Sequence, residues 1–227
     1  MYKNIPIGSA RQNLFESHFS EPDLNVRQLF IKRLLDITLS LIGILCILSW
    51  LTPLLVILIK LESDGPVFFI QERMGFRKIP FRCVKFRTMR LNDEADVKEA
   101  SGNDSRITKL GSFLRKTCLD EMPQFFNVLV GEMTIVGPRP YMITEAKKYE
   151  ALTDRFEERQ SVRPGITGWA QISGLRGRIL DDDEMRMRIE ADIWYLRNWS
   201  FFLDIKIIFL TALTVLNLYR NRSPWPF

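Results

Sequence analysis

The stretch Arg115-Lys-Thr-Cys-Leu-Asp-Glu-Met-Pro-Gln-Phe-Phe-Asn-Val-Leu-Val-Gly-Glu-Met-Thr-Ile-Val-Gly-Pro-Arg-Pro140 decides how the rest of this chain is read. In it Asp120 and Glu121 stand side by side, just ahead of Pro123 and an apolar run with the character of a helix. Proline suits the first turn of a helix, where its missing N–H removes no hydrogen bond. The acidic pair therefore falls at or near a helix start, beside free backbone N–H groups and the positive end of the dipole. Arg115 and Lys116 lie just upstream, and the tight Gly137-Pro138-Arg139-Pro140 corner carries one guanidinium on a stiff loop. Carboxylates beside anion-binding features point to phosphate chemistry, with a divalent cation between two sets of negative oxygens. Taken alone, a helix cap with a surface charge pair accounts for these residues equally well.

A chain of 227 residues can bury a full core, and one catalytic domain with appendages is the expected organisation. The net charge of +5 and pI near 9.2 are too modest to call for nucleic acid, and none is expected as a partner. That balance suits an anionic membrane surface or an anionic small substrate. Cys46, Cys83 and Cys118 are scattered and lack CxxC spacing, which argues against a disulfide framework or a zinc site and for a reducing compartment. Cys118 is a rival nucleophile close to Asp120, but the only histidine, His18, is in the N-terminal tail and is not placed to activate it. Histidine-based triads and His-ligated metal sites drop out for the same reason. Carboxylate chemistry remains.

Working outward, residues 1–25 carry no sustained period and read as a flexible arm without the pattern of a signal peptide. From Ile37 to Ile59 there is no charge, which as a helix is about 34 Å, enough to cross a bilayer. Basic residues flank both ends (Arg27, Lys32 and Arg33 before; Lys60, Arg73, Arg77 and Lys78 after), which would place both ends in the cytoplasm. Pro53 interrupts the second half, where nearby hydroxyls of Thr52 and Ser49 can satisfy freed carbonyls. A re-entrant helix-break-helix over residues 26–62 meets both observations, and a simple span is its competitor. Residues 63–227 then form the catalytic domain.

After the Asp64-Gly65-Pro66 turn, Val67–Arg73 and Phe81–Arg87 read as two strands of a hairpin. Period two puts Lys85 and Arg87 on one face, about 7 Å apart, able to straddle a diphosphate. Residues 91–104 are an acidic loop or mobile helix over the site. The segment from Ile107 to Lys116 reads as a short helix with Leu110, Phe113 and Leu114 inward, and Tyr141 to Glu158 as one charged amphipathic helix. The loop Arg163-Pro-Gly-Ile-Thr-Gly-Trp-Ala-Gln-Ile-Ser-Gly174 either holds a flat base, through an aromatic and an amide, or is a structural turn. From Phe201 to Tyr219, Asp204, Lys206, Thr211, Thr214 and Asn217 fall on one arc of a helix expected to lie in the membrane interface, a buried core helix being the alternative. The fold class is α+β, mostly α, with a re-entrant membrane helix, a small β-hairpin and interfacial amphipathic helices.

From Lys32 to Tyr219 the chain resembles the bacterial sugar transferases, the monotopic phosphoglycosyl transferases that start polyprenyl-linked glycan assembly. The resemblance is carried in order by Lys32-Arg33, Asp64-Gly-Pro-Val, Lys85-Phe-Arg-Thr-Met89, Arg106-Ile-Thr, Leu114-Arg-Lys-Thr, Asp120-Glu-Met-Pro-Gln124, Asn127-Val-Leu, Gly131-Glu-Met, Val136-Gly-Pro-Arg-Pro140, Arg163-Pro-Gly-Ile-Thr-Gly-Trp169 and Asn198-Trp-Ser. Met122 stands where leucine is usual, and Ile172-Ser173 where valine-asparagine is frequent. Larger members carry an N-terminal multi-span region, so this chain is expected to be the minimal catalytic form.

The resemblance implies a helix break at Thr52-Pro53 and a catalytic Asp120-Glu121 dyad, whose two carboxylates are also expected to meet Mg²⁺. It implies a UDP-sugar donor and a polyprenyl (undecaprenyl) phosphate acceptor, with transfer of a hexose-1-phosphate and release of UMP through an aspartyl-phosphosugar. Lys85, Arg87, Arg115, Gln124, Pro138, Arg139, Trp169 and Gln171 are the expected substrate-binding residues. The expected place is the cytoplasmic face of the bacterial inner membrane, in contact with membrane lipid, at the first membrane step of exopolysaccharide or glycan assembly; a homodimer is open. Glucose is favoured, with galactose or an N-acetylated sugar as alternatives. A non-catalytic membrane module and a metal-dependent phosphodiesterase or pyrophosphatase are the competing functions.

Overall fold

The computed structural model describes residues 25–92, 104–153, 155–177, 179 and 181–216. Most of the N-terminal arm, most of the acidic loop expected over 91–104, and residues 217–219 of the helix expected from the sequence, Asn217 included, lie outside the described residues. The chain begins in helix α1, Val26–Gly43, whose cap Asn25 accepts from the Gln28 N–H at 2.9 Å while the Gln28 side chain accepts from the Asn25 N–H at 2.8 Å. That reciprocal pair satisfies two groups a bare helix start would leave open. A π-turn at Ile44–Leu48 joins α1 to α2, Ser49–Glu62.

Together these form a single helix, Val26–Glu62, long and apolar enough by length and composition to cross a membrane. No separate pair of helices meets at Pro53, which lies inside α2. The irregularity is upstream, where Ser49 N–H reaches back to the Ile44 carbonyl. Ser49 Oγ caps the Leu45 carbonyl at 2.7 Å and Trp50 Nε1 caps that of Cys46 at 2.9 Å, so side chains satisfy backbone that the turn loosens. The π-turn also has a packing reason. The buried positions Asp36, Ser40, Gly43, Leu48, Leu51, Leu55 and Ile59 step by three or four except across the turn, where one extra residue intervenes. Bulging that residue keeps one continuous stripe against the body of the protein.

Strands β1, Phe68–Met74, and β2, Pro80–Phe86, pair antiparallel, with Phe69 opposite Lys85 and Arg73 opposite Phe81. Helix α3, Lys109–Thr117, follows; it buries Leu114, but Phe113 is 55 % exposed, contrary to the inward face expected from the sequence. Leu114 joins Leu48, Leu51, Leu55, Ile59 and Phe86 in one core cluster, with Leu110 partly buried against it. A tight 3₁₀ turn, Leu119–Glu121, leads into α4, Gln124–Val130, and then β3, Thr134–Val136.

The stretch read as one helix from Tyr141 to Glu158 is two, α5 (Ile143–Glu150) and α6 (Arg155–Glu158). The break lets Tyr141, Tyr149 and Phe156 converge on Met185, Ile189 and Ile193. Strand β4, Gly165–Thr167, pairs parallel with β3, a pairing not foreseen from sequence because each strand is only three residues long. Gly165 permits it: a Cβ there would lie 2.1 Å from the Gly137 nitrogen. Short helix α7, Trp169–Ile172, and α8, Asp182–Arg197, lead to α9, Phe201–Val215. Part of the polar arc of α9, Asp204 and Thr211, turns inward, while Lys206 is exposed. Asp204 is buried, and Thr211 shares a 2.7 Å hydrogen bond with Thr167. Phe202, Phe209 and Leu216 face outward, as do Leu34 of α1, Leu45 of the π-turn, and Trp50, Ile57 and Leu61 of α2.

Candidate active site

The carboxylates owe their position to Cys118, which ends α3 in a left-handed conformation (φ 58°). That residue reverses the chain, so the 3₁₀ turn delivers both acids to the wall of one cavity of about 440 Å³. Asp120 and Glu121 are 8 % and 7 % exposed. β2 brings Lys85, whose Nζ lies 2.6 Å from Glu121 Oε1, and the corner after β3 brings Arg139, whose Nη2 donates to the same oxygen at 3.0 Å. Arg176 Nη2 stands 3.9 Å from Glu121 Oε2 and donates to Cys118 Sγ at 2.8 Å. Asp120 makes no hydrogen bond or ion pair among the described residues.

Two neighbouring acids thus have opposite electrostatics. Burial, and then the charge of Glu121, push the Asp120 carboxyl up to about 6, against the pull of Lys85, Arg115 and Arg139. Burial would raise Glu121 as well, but Arg139 and Lys85, each adding a hydrogen bond to its field, hold it well below the usual carboxylate range. Glu121 in turn raises Arg139 above its ordinary value. One acid is therefore a fixed anion tied to cations, and the other is an unpaired, unusually basic carboxylate.

Of the residues expected at the site, Asp120, Glu121, Lys85, Arg87, Arg115 and Arg139 line this cavity. Arg115 Nε is anchored on Thr88 Oγ1 at 2.8 Å, and its burial lowers it from the ordinary arginine value. Arg87 falls just beyond β2 and its guanidinium grips the Ser63 carbonyl at 2.7 Å and the Asp64 carbonyl, holding the end of α2. Gln124, Pro138, Trp169 and Gln171 are elsewhere. Trp169 stacks on Trp194 with centroids 4.6 Å apart, and Gln171 Nε2 donates to the Ile166 carbonyl at 3.2 Å.

Arg73, Arg90, Arg176 and Arg188 also line the cavity and were not singled out from sequence. Arg73 was legible. Residues directly opposite across an antiparallel pair share a face, so Phe69, Gln71 and Arg73 accompany Lys85. Arg176 and Arg188 arrive from distant segments with no local signal. Among the described residues no group of three or more acids, cysteines or histidines forms a metal cage. The two adjacent carboxylates fit Mg²⁺ nonetheless, because that ion keeps several waters and shares one or two carboxylates with substrate phosphates. A concave, cationic cavity holding one free carboxylate can bind a diphosphate and offer it a nucleophile.

The sequence profile of the family described as bacterial sugar transferase matches residues 27–218. A UDP-glucose:undecaprenyl-phosphate glucose-1-phosphate transferase of Xanthomonas campestris pv. campestris is 44 % identical over 211 residues, 87 % of this chain and 43 % of that protein. The protein of the same name from Escherichia coli (strain K12) is 46 % identical over 184 residues, 80 % of this chain and 39 % of its own length. A UDP-N-acetylgalactosamine-undecaprenyl-phosphate N-acetylgalactosaminephosphotransferase of Aeromonas hydrophila is 43 % identical over 197 residues, covering 85 % of this chain and 45 % of that one. The chain spans less than half the length of each of these three relatives.

Proposed function

The chain belongs to the bacterial sugar transferase family, and on that footing we propose that it moves a hexose-1-phosphate from a UDP-sugar to a polyprenyl phosphate, releasing UMP. The observation that carries this reading is the asymmetry of the acids: Glu121 is tied to Lys85 and Arg139, while Asp120 stands unpaired in a cationic cavity. An Asp120 oxygen attacks the sugar-bearing phosphorus of the donor. The bond from that phosphorus to the bridging oxygen breaks, and UMP leaves with the electron pair. An oxygen of the lipid phosphate then attacks the aspartyl-phosphosugar, the mixed anhydride breaks, and Asp120 is regenerated as a carboxylate. With its carboxyl near 6, Asp120 is ionised at neutral pH while more basic than an ordinary aspartate.

Lys85 and Arg139 orient Glu121, and with Arg115 they supply positive charge where the diphosphate gains negative charge on leaving. Mg²⁺, when bound, supplies further charge neutralisation at Glu121 and Asp120. Glucose is the favoured hexose because two of the relatives above are named for it; N-acetylgalactosamine and galactose are the alternatives. The long helix and the outward apolar face of α9 support a monotopic enzyme on the cytoplasmic face of the bacterial inner membrane. In this reading Val26–Glu62 enters and leaves one leaflet, and its π-turn, with Pro53 one turn on, is where regular helix is weakest.

The test is incubation of detergent-solubilised protein with a panel of UDP-sugars and Mg²⁺, with and without polyprenyl phosphate. Without lipid, up to one UMP per site and a protein-bound phosphosugar are expected, and Asp120→Asn abolishes both. UMP with free sugar phosphate would make the protein a hydrolase. UMP appearing only with lipid, and no labelled protein, would remove Asp120 as nucleophile.

A further inference from the structure

The corner that carries Arg139 is pinned along its length. Gly137 N–H donates to the Thr167 carbonyl at 2.8 Å, Gly165 N–H to the Pro138 carbonyl at 2.8 Å, and Arg159 Nη2 to the Arg139 carbonyl at 2.7 Å. Arg73 Nη1 takes the Pro140 carbonyl at 2.7 Å. The first pin, on the Val136 carbonyl, differs from the others in origin. It comes from Lys32 of α1, whose Nζ is 2.9 Å away across 104 residues of sequence.

That ammonium sits in a closed network. Its remaining donors reach Asp204 Oδ2 at 2.7 Å and Tyr195 Oη at 3.1 Å, and it lies 5.8 Å from the ring centroids of Tyr195 and Trp199. Asp204, 1 % exposed on α9, accepts also from Tyr195 Oη at 2.6 Å and Trp199 Nε1 at 3.1 Å. Tyr195 Oη is 3.1 Å from the Val136 carbonyl as well, but its single proton goes to the shorter, charge-assisted contact with Asp204. Lys32 is left as the donor that holds Val136. An ion pair serving only to join α1 to α9 would need no contact with the corner, and burying two charges is weak evidence of a gain in stability.

We propose that Lys32 is a positioning residue for Arg139: through the Val136 carbonyl it ties the active-site corner to the packing of α1 against α9. Arg139 reaches Glu121 only while the corner keeps its place, so the two helices with outward apolar faces set the geometry of the dyad. The proposal rests on the transferase reading for its catalytic consequence, but not for its structural one.

The variant to examine is Lys32→Met with Asp204→Asn, which removes both charges together and avoids stranding either one. Its melting temperature should stay near that of the wild type. Turnover should fall about 10- to 100-fold with the KM for the UDP-sugar little changed, because the donor still meets the cations while the dyad is misplaced. Lys32→Arg with Asp204 kept, which preserves a charged donor for Val136, should retain most of the wild-type turnover. Amide hydrogen exchange gives a readout independent of turnover: protection should fall at residues 134–141 and not elsewhere. Wild-type turnover with unchanged exchange at the corner overturns the proposal, and so does loosening spread through the whole protein. If the wild type releases no UMP from any donor, the transferase reading fails, and exchange at the corner still decides whether Lys32 holds it.

Discussion

Asp120 illustrates how a functional carboxylate is maintained against the interests of stability. Its carboxyl lies near 6 in the folded protein, against roughly 3.9 in an unfolded chain. Between those values the native state binds more protons than the unfolded one, so stability falls as pH rises, and the full penalty is present above about 6. Asp120→Asn, which keeps the shape and removes the charge, should therefore be more stable than wild type at about pH 7.5, by on the order of 3 kcal/mol. The advantage should vanish towards about pH 4; chemical denaturation at both pH values checks the sign, and a variant less stable at the higher pH contradicts it. Arg87 and Arg139 separate two uses of an arginine. Arg139→Ala should cost turnover by about 1–3 kcal/mol, as a lost charge-assisted contact does. Arg87→Ala frees the Ser63 and Asp64 carbonyls, so a lower melting temperature is its first expected effect.

At the scale of elements, the π-turn in Val26–Glu62 can be tested by changing its length. If the turn stores one extra residue so that the buried stripe stays aligned, deleting Cys46 should convert it to regular α-helix. Leu48, Leu51, Leu55 and Ile59 would then remain inward. Inserting an alanine after Cys46 should rotate those side chains about 100° from the body. Exposing a buried leucine or isoleucine costs about 1.5–3 kcal/mol, so two or more would threaten the fold. Comparable denaturation midpoints for the deletion and the insertion would refute the register account. The hairpin is simpler, since its register follows from the alternation of its own residues.

At the scale of the whole molecule, the question is how it sits against lipid. On α9 Asp204 and Thr211 serve inward contacts while the aromatics Phe202 and Phe209 face out, as Lys206 does. Replacing Phe202 and Phe209 with serine should lower sedimentation with vesicles while leaving the unfolding free energy in detergent within about 1 kcal/mol of wild type, because neither ring is buried in the body. The re-entrant reading requires both ends of Val26–Glu62 on one side. Ala10→Cys, in a background without Cys46, Cys83 and Cys118, should be closed to a membrane-impermeant thiol reagent added outside intact cells. Labelling from outside would mean a span. Four cations counted as topological signals are committed within the protein: Lys32 is paired with Asp204, Arg33 donates to the Val128 and Leu129 carbonyls at 2.6 and 2.7 Å, Arg73 donates to the Pro140 carbonyl, and Lys78 is paired with Glu150 and Glu157. Arg27 and Lys60 carry the charge argument that remains.

Local sequence by itself determined the parts whose information is local. The 23 uncharged residues from Ile37 to Ile59 specify an apolar helix, alternation specifies the hairpin, and the adjacency of Asp120 and Glu121 places two carboxylates on one turn. Only the tertiary structure decided what those parts do for each other. Lys85 and Arg139 reach Glu121 from 36 and 18 residues away, and nothing in the dyad's own neighbourhood says which acid they will choose. Hydrophobic periodicity gave α9 a polar arc but not its direction, because Asp204 looks the same to a helical pattern whether it meets water or Lys32. The β3–β4 pair was invisible for a related reason. Three residues carry too little pattern to identify a strand, and their pairing depends on the close approach that Gly165 allows. Side-chain chemistry is written along the chain, but pairing, burial and the resulting proton affinities depend on distances that only folding sets.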